Sequence, residues 1–132
     1  MQTAFIWIEG IQCEKVVSPM VSPRMFPQKQ EWKILPCDEI MRCKEIKNEF
    51  PDFILDKHST SDLWNQGINI TSEDEFKIIG KNFIQWCKLQ SKEKIYVVSH
   101  DGTITSYRQL LSNKVLTRKD FPKDAGWVTV HC

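Results

Sequence analysis

One polar run near the carboxyl end of the chain combines residue types that can handle an anion. After the apolar stretch 94–98, the sequence turns polar at Ser99-His100-Asp101-Gly102-Thr103. A histidine there can serve as hydrogen-bond donor, acid, base or nucleophile, and the next aspartate can hold or exchange a proton. The glycine allows the backbone to approach a ligand closely. The run therefore predicts an anion site, although a polar turn capped by Asp101 and Thr103 explains the local pattern equally well.

A second candidate is Arg24, which ends the run Ser18-Pro19-Met20-Val21-Ser22-Pro23-Arg24 after an apolar segment. Arginine binds phosphate through two N–H groups at once and stays charged at every working pH. Taken alone, an arginine on a proline-rich turn is more simply interpreted as solvated. Arg24 can take part in an anion site only if the predicted strands bring it to the same edge of a sheet as His100.

Short buried strands and amphipathic helices are the elements that must position these side chains. Strands are predicted at 14–19, 32–36, 94–98 and 126–130, and helices at 38–50, from Ser72 to about Leu89, and after Thr103. Ser72 and Glu75 predict a reciprocal helix cap. The alternation of strands and helices predicts a three-layer α/β/α fold with a mostly parallel sheet, in which ligands bind at the carboxyl ends of strands.

Length and composition limit the classes of protein to which this chain can belong. The 132 residues suit one domain, 1–132, and the net charge of +1 gives no pull toward nucleic acid or an anionic membrane. Neither a membrane-spanning apolar run nor a signal-peptide pattern is present. Five cysteines without a Cys-x-x-Cys pair favour reduced thiols over zinc ligands. We therefore expect a cytoplasmic protein without a metal or another cofactor.

The two polar runs with their preceding strands resemble the histidine phosphatase superfamily, the phosphoglycerate-mutase-like proteins. The resemblance lies in Val16-Val17-Ser18-Pro19-Met20 followed by Arg24, and in Val97-Val98-Ser99-His100-Asp101-Gly102. Arg24 arrives two residues later than in the family pattern. Between these runs, Pro36-Cys37-Asp38, Phe50-Pro51, Asp62-x-Trp64 and Phe83-x-x-Trp86 are similar to one mutase-like branch. The resemblance extends from about Cys13 to the end.

The resemblance implies phosphoryl transfer from a phosphomonoester to a histidine, then to water or back to substrate, without a metal. It implies Arg24, His100 and the backbone near Gly102 as phosphate ligands, and it makes His100 a catalytic residue. A carboxylic acid protonates the leaving oxygen. The acid-phosphatase branch implies Asp101 for that role and the mutase-like branch implies Glu39, with Asp38 and Glu31 as weaker candidates.

The family's nucleophilic Arg-His-Gly segment does not occur in the sequence. His58 and His131 lie in polar or terminal stretches and do not replace it. We therefore expect either a domain that is incomplete at its amino end or one that departs from the family chemistry, and enzyme activity stays open. The alternative is a non-catalytic phosphate-binding or protein-interaction module, and an unrelated nucleotide binder is disfavoured by the lack of a glycine-rich loop.

The partner expected from the resemblance is phosphate or a phosphorylated small molecule, with neither nucleic acid nor membrane involved. A missing strand beside His100 would leave an unpaired sheet edge. We expect that edge to cause aggregation or to be covered by a partner or a second copy, so a homo-oligomer is one expected outcome. The sequence does not distinguish a mutase from a phosphatase.

Overall fold

Helices carry most of the regular structure. The computed structural model describes residues 1–29 and 36–131 and is 45% helix and 3% strand. The helices are α1 (Gln2–Trp7), α2 (Cys43–Glu49), α3 (Ser61–Gln66), α4 (Glu73–Leu89) and α5 (Asp101–Ser112). The described strands are β1 (Val16–Val17) and β2 (Ile54–Leu55), and short 3-10 helices lie at Pro19–Val21, Pro36–Asp38 and Arg118–Asp120.

The prediction of a three-layer α/β/α fold with a mostly parallel sheet is wrong. β1 and β2 form a parallel pair with Val16 opposite Ile54, and no further strand joins them within the described ranges. Segments 94–98 and 126–130 form no ladder, and the predicted strand 32–36 falls almost wholly outside the described residues. An apolar run supplies side chains suited to a buried strand, but it does not supply the neighbouring backbone that a ladder requires.

α4 forms as the sequence predicts. The Ser72 hydroxyl accepts the Glu75 N–H at 3.3 Å, while the Ser72 N–H donates to the Glu75 carboxylate at 2.9 Å. Phe76 and Phe83 are buried on one face, as their spacing predicts. The helix predicted at 38–50 is the shorter α2, which ends at Phe50, the residue before a proline.

α5 also forms, but it buries a different face from the one its apolar residues indicate. Ile104, Tyr107, Leu110 and Leu111 are only partly covered, whereas Gly102, Thr103, Thr105 and Ser106 are buried. The small side chains allow α5 to lie close to the segment after β1. Two of the hydroxyls donate to backbone carbonyls: Thr103 to Ser22 and Ser106 to Gly102. Hydrogen bonding therefore offsets the burial of Thr103 and Ser106, whereas the Thr105 hydroxyl is buried without a partner among the described residues.

The core joins α4, α5 and the turn after β1. The Tyr107 ring lies 5.2 Å from the Phe76 ring and 5.3 Å from the Phe83 ring, and its hydroxyl donates to the Met20 carbonyl at 2.8 Å. Burial raises the pKa of the Tyr107 hydroxyl. The buried apolar side chains are Met20, Phe26, Ile46, Phe53, Ile68, Phe76 and Phe83.

Candidate functional site at the amino end of α5

The turn after β1 and the start of α5 are bound directly to each other. The Ser99 hydroxyl donates to the Val21 carbonyl at 2.7 Å, and the Thr103 hydroxyl donates to the Ser22 carbonyl at 2.7 Å. A Cβ atom added at Gly102 would lie 2.0 Å from the Arg24 carbonyl oxygen, so only glycine fits this contact. The two polar runs singled out in the sequence are thus adjacent in space.

His100 is the residue before α5, and its side chain is partly exposed and partly covered by the cleft. It is the N-cap residue in an extended conformation, and its ring makes no cap hydrogen bond to the helix. The first backbone N–H groups of α5 therefore have no side-chain cap from His100. Partial burial lowers the pKa of the His100 imidazole, the chain's amino group adds to the effect, and Asp38 and Asp101 oppose it.

A cleft of about 1350 Å³ opens beside His100. Its wall includes β1, Ser18, Ser22 and the extended segment 94–99, and most of its lining residues are apolar. Glu39 and Lys94 contribute charged groups to the same cleft. His100 therefore stands at a concave surface, which is the usual setting of a small-molecule site.

Arg24 lies away from this cleft, and its side chain is fully enclosed. The guanidinium donates to the Ile68 and Thr71 carbonyls at 3.0 and 2.8 Å and pairs with Glu73 at 3.1 Å. It also stacks over the Phe76 ring at 4.2 Å. Burial lowers the pKa of Arg24, and Glu73 opposes that effect. The structure thus uses this guanidinium to hold the loop before α4.

The candidate general acids take different positions. Glu39 lines the cleft with His100, whereas Asp101 is the exposed first residue of α5 and does not line it. Asp38 and Asp101 both act electrostatically on His100, and Glu31 lies outside the described residues. The geometry therefore brings Glu39 and His100 to one surface and leaves the choice between Glu39 and Asp101 open.

The other two histidines are not part of this surface. His58 and His131 are exposed and line no part of the cleft. The backbone N–H of His58 donates to the Asp56 carboxylate at 2.8 Å. Within the described residues, His100 is therefore the only imidazole at the cleft.

Asp56 is a buried carboxylate that the sequence reasoning missed. It follows β2, and it accepts hydrogen bonds at 2.7 Å from the hydroxyls of Ser18 and Ser59. Burial alone would raise the pKa of Asp56, but hydrogen bonds from Ser59, Ser18 and the His58 backbone outweigh it and lower the pKa. The short apolar run 53–55 before a polar stretch was the available signal. The carboxylate ties the ends of β1 and β2 together.

The arrangement offers backbone N–H groups and one imidazole at the start of α5, with the carboxylates of Asp101 on the helix and Glu39 at the cleft. Within the described part of the chain, no group of three or more histidine, cysteine or acidic side chains is placed to hold a metal ion. No helix found there is long and apolar enough to cross a membrane. Comparison of the chain with protein-family models, with curated proteins and with solved structures finds no match.

Proposed function

We propose that this chain is a histidine-phosphatase-like, phosphoglycerate-mutase-like protein that recognises phosphomonoesters at the amino end of α5. The observation that carries the proposal is the direct bonding of the turn after β1 to residues 99–103, which sets His100 at the cleft. A protein of that kind acts by phosphoryl transfer through a histidine. The sequence contains no Arg-His-Gly segment to supply that nucleophile.

The start of α5 suits an anion on physical grounds. Its first N–H groups carry the positive end of the helix dipole, and a phosphate there accepts hydrogen bonds from them. The His100 imidazole adds a donor, and a bound dianion would raise its pKa, which desolvation lowers in the free chain. A carboxyl group beside a phosphate is favoured in its protonated form, so Glu39 or Asp101 is suited to donate a proton to a leaving oxygen.

The position of Arg24 favours the second candidate, a non-catalytic phosphate-binding or interaction module. An arginine that donates to the Ile68 and Thr71 carbonyls and pairs with Glu73 has few N–H groups left for a ligand. Phosphate recognition is then carried by His100 and backbone groups alone. Binding without turnover would support this second candidate.

Inorganic phosphate should bind to the purified chain with a dissociation constant in the millimolar range, about −4 kcal/mol. We expect phosphate to raise the pKa of His100, because the dianion favours the imidazolium form. The measurement follows the ring resonances of His100 by NMR at several pH values with and without phosphate. His58 is the internal control, and its ring resonances should not shift when phosphate is added.

Replacing His100 with alanine should abolish phosphate-dependent shifts in the backbone N–H resonances of residues 101–103, whereas His58→Ala should leave them unchanged. Equal shifts in both variants would mean that phosphate associates with the general surface. An unchanged pKa of His100 in 10–20 mM phosphate, roughly ten times the expected dissociation constant, would refute the site.

The chain alone should not hydrolyse a generic phenyl phosphate above background. The resemblance makes His100 a phosphate ligand, and an imidazole nitrogen that donates to phosphate is not free to attack phosphorus. The assay compares the purified chain with His100→Ala, and both should equal the uncatalysed rate. Turnover that disappears in His100→Ala would show that His100 is itself the nucleophile and would exclude the non-catalytic candidate.

A further inference from the structure

The chain exposes more surface than a folded monomer of its mass. Its accessible surface is 9941 Å² for 15.5 kDa, whereas the scaling for compact monomers gives about 7200 Å². The excess of about 2700 Å² is comparable with what one subunit buries in a large homodimer interface, about 1000–2500 Å². This excess area is thus of the size that a stable dimer covers.

The extended segment 94–98 is a prominent apolar part of this surface. Ile95, Val97 and Val98 are 38–45% exposed, and Tyr96 is 70% exposed. No backbone group of residues 94–98 hydrogen-bonds to another backbone group among the described residues. The segment therefore combines apolar side chains with an unpaired backbone, which is the arrangement that recruits another strand.

α1 packs beside this segment and does not cover it. The Trp7 ring contacts the Tyr96 ring edge-on at 5.2 Å, yet Trp7 itself remains 54% exposed. No residue of α1 is buried. The helix and the segment thus form one apolar surface, which belongs to the wall of the cleft beside His100 and which the chain's own described residues leave open to a partner.

We propose that a second copy of this chain covers this surface, with segment 94–98 pairing with its symmetry mate as an antiparallel two-stranded ribbon. A two-fold dimer buries the same patch on both subunits. Successive pairs in an antiparallel ladder alternate between hydrogen-bonded and non-hydrogen-bonded types. If the two-fold axis lay between two residues, it would relate two adjacent pairs and make them the same type, which the alternation forbids. The axis must therefore pass through a residue that lies opposite its own copy.

Tyr96 is the residue that faces its own copy. Pairing centred on Tyr96 sets Ile95 opposite Val97 of the second copy, so apolar side chains meet on the same face. Pairing centred on Val97 would instead set Ile95 opposite Ser99, whose hydroxyl is already bonded to the Val21 carbonyl. The Tyr96 register sets Lys94 opposite Val98 at the two ends and keeps the ladder within residues 94–98. It therefore leaves the hydrogen bond of Ser99 undisturbed, and the apolar pair of Ile95 with Val97 stabilises the ribbon.

The first test is cross-linking through Tyr96→Cys under mild oxidation. Residues directly opposite in an antiparallel pair have Cα atoms about 4.5–5.5 Å apart, which falls within the range that a disulfide spans. We expect most of the variant to become a covalent dimer on a non-reducing gel. The control is Val115→Cys, since Val115 is 92% exposed and lies outside the segment, and it should cross-link no faster than wild type.

The second test is the mass of the unmodified chain by sedimentation equilibrium. Wild type and Val115→Lys should both have twice the chain mass, and Val97→Lys should be a monomer with unchanged helical circular dichroism. A monomeric wild type would overturn the proposal. So would a dimer in which Tyr96→Cys cross-links no better than Val115→Cys. The cross-linking result decides the matter even if Val97→Lys fails to fold, and neither test uses phosphate.

Discussion

Replacing Arg24 with alanine should lower the free energy of unfolding by about 2–4 kcal/mol, because a carbonyl loses its donor and the enclosed side chain leaves a cavity. The guanidinium is fully enclosed and is the donor to the Ile68 and Thr71 carbonyls. The Thr71 carbonyl would then lack its donor at a cost of about 1–3 kcal/mol, whereas the Ile68 carbonyl would keep the Thr71 hydroxyl as donor. Small domains unfold with only about 5–15 kcal/mol in total, so the variant should lose a substantial share of its stability.

Glu73→Gln is the matched control for this loss. The Glu73 side chain is 47% exposed, so water screens its pair with Arg24 and the substitution should cost no more than about 1 kcal/mol. Urea unfolding of both variants, followed by helical circular dichroism, measures the difference. If Arg24→Ala lost no more stability than Glu73→Gln, the carbonyl contacts would contribute little and the proposed structural role would be refuted.

Arg24→Met separates the hydrogen bonds from the packing. Methionine retains an apolar side chain near the Phe76 ring, over which the guanidinium lies at 4.2 Å, but it donates no hydrogen bond. We expect Arg24→Met to be more stable than Arg24→Ala but still to lose about 1–3 kcal/mol, because it restores the packing and not the donor to the Thr71 carbonyl. The role of Arg24 in phosphate binding stays a prediction, and it can be measured only in a variant that still folds.

Local features of the structure could be predicted from the sequence because their causes lie within a few residues. The cap of α4 needs only Ser72 and Glu75, three positions apart, and its buried face needs only the helical spacing of Phe76 and Phe83. The end of α2 at Phe50 needs only the proline that follows. In each case the residues that interact are separated by only a few positions, so the local backbone conformation alone brings them together.

Features with distant causes could not be predicted. The partners of Arg24 lie 44–49 residues away, and no local pattern shows that the loop before α4 would enclose it. Segment 94–98 has the composition of a buried strand, but its pairing depends on backbone from elsewhere. The resulting fold is mostly helical, and the predicted parallel sheet is reduced to β1 and β2.

The candidate site was predictable in part. The sequence singled out the turn after β1 and the run around His100, and the structure bonds them together through Ser99 and Thr103. It did not single out Asp56, because that carboxylate matters through its contacts with the end of β1 rather than through its own neighbours. The contact between Gly102 and the Arg24 carbonyl could likewise not be predicted. The sequence indicates only that Gly102 allows the backbone to approach a ligand closely.

Replacing Gly102 with alanine should lower the free energy of unfolding by about 2–3 kcal/mol, at the upper end of the usual cost of overpacking. The added Cβ would lie 2.0 Å from the Arg24 carbonyl oxygen and 3.3 Å from the Phe26 nitrogen. Both are backbone atoms, so no side-chain rotation relieves the clash. Alanine in a helix is intrinsically favoured over glycine by about 1 kcal/mol, which is too little to offset it.

Gly80→Ala is the matched control, because Gly80 is also buried within a helix. An added Cβ there would lie 2.6 Å from Leu110 Cδ2, the end of a side chain that can rotate away. The helix preference for alanine then offsets most of the crowding, and we expect a change within about 1 kcal/mol. Urea unfolding of both variants measures the contrast, and equal stabilities would show that α5 can shift without cost.

The Gly102→Ala variant also tests whether the docking of α5 builds the phosphate site. Relief of the clash requires α5 to move away from the turn after β1, which stretches the hydrogen bonds from Ser99 to Val21 and from Thr103 to Ser22. His100 and the first N–H groups of α5 then lose their fixed position at the cleft. We expect the phosphate-induced rise in the pKa of His100 to shrink in the folded variant and to persist in Gly80→Ala. An undiminished rise in Gly102→Ala would mean that the helix end binds phosphate without help from the turn, so the contact between the two runs would serve stability alone.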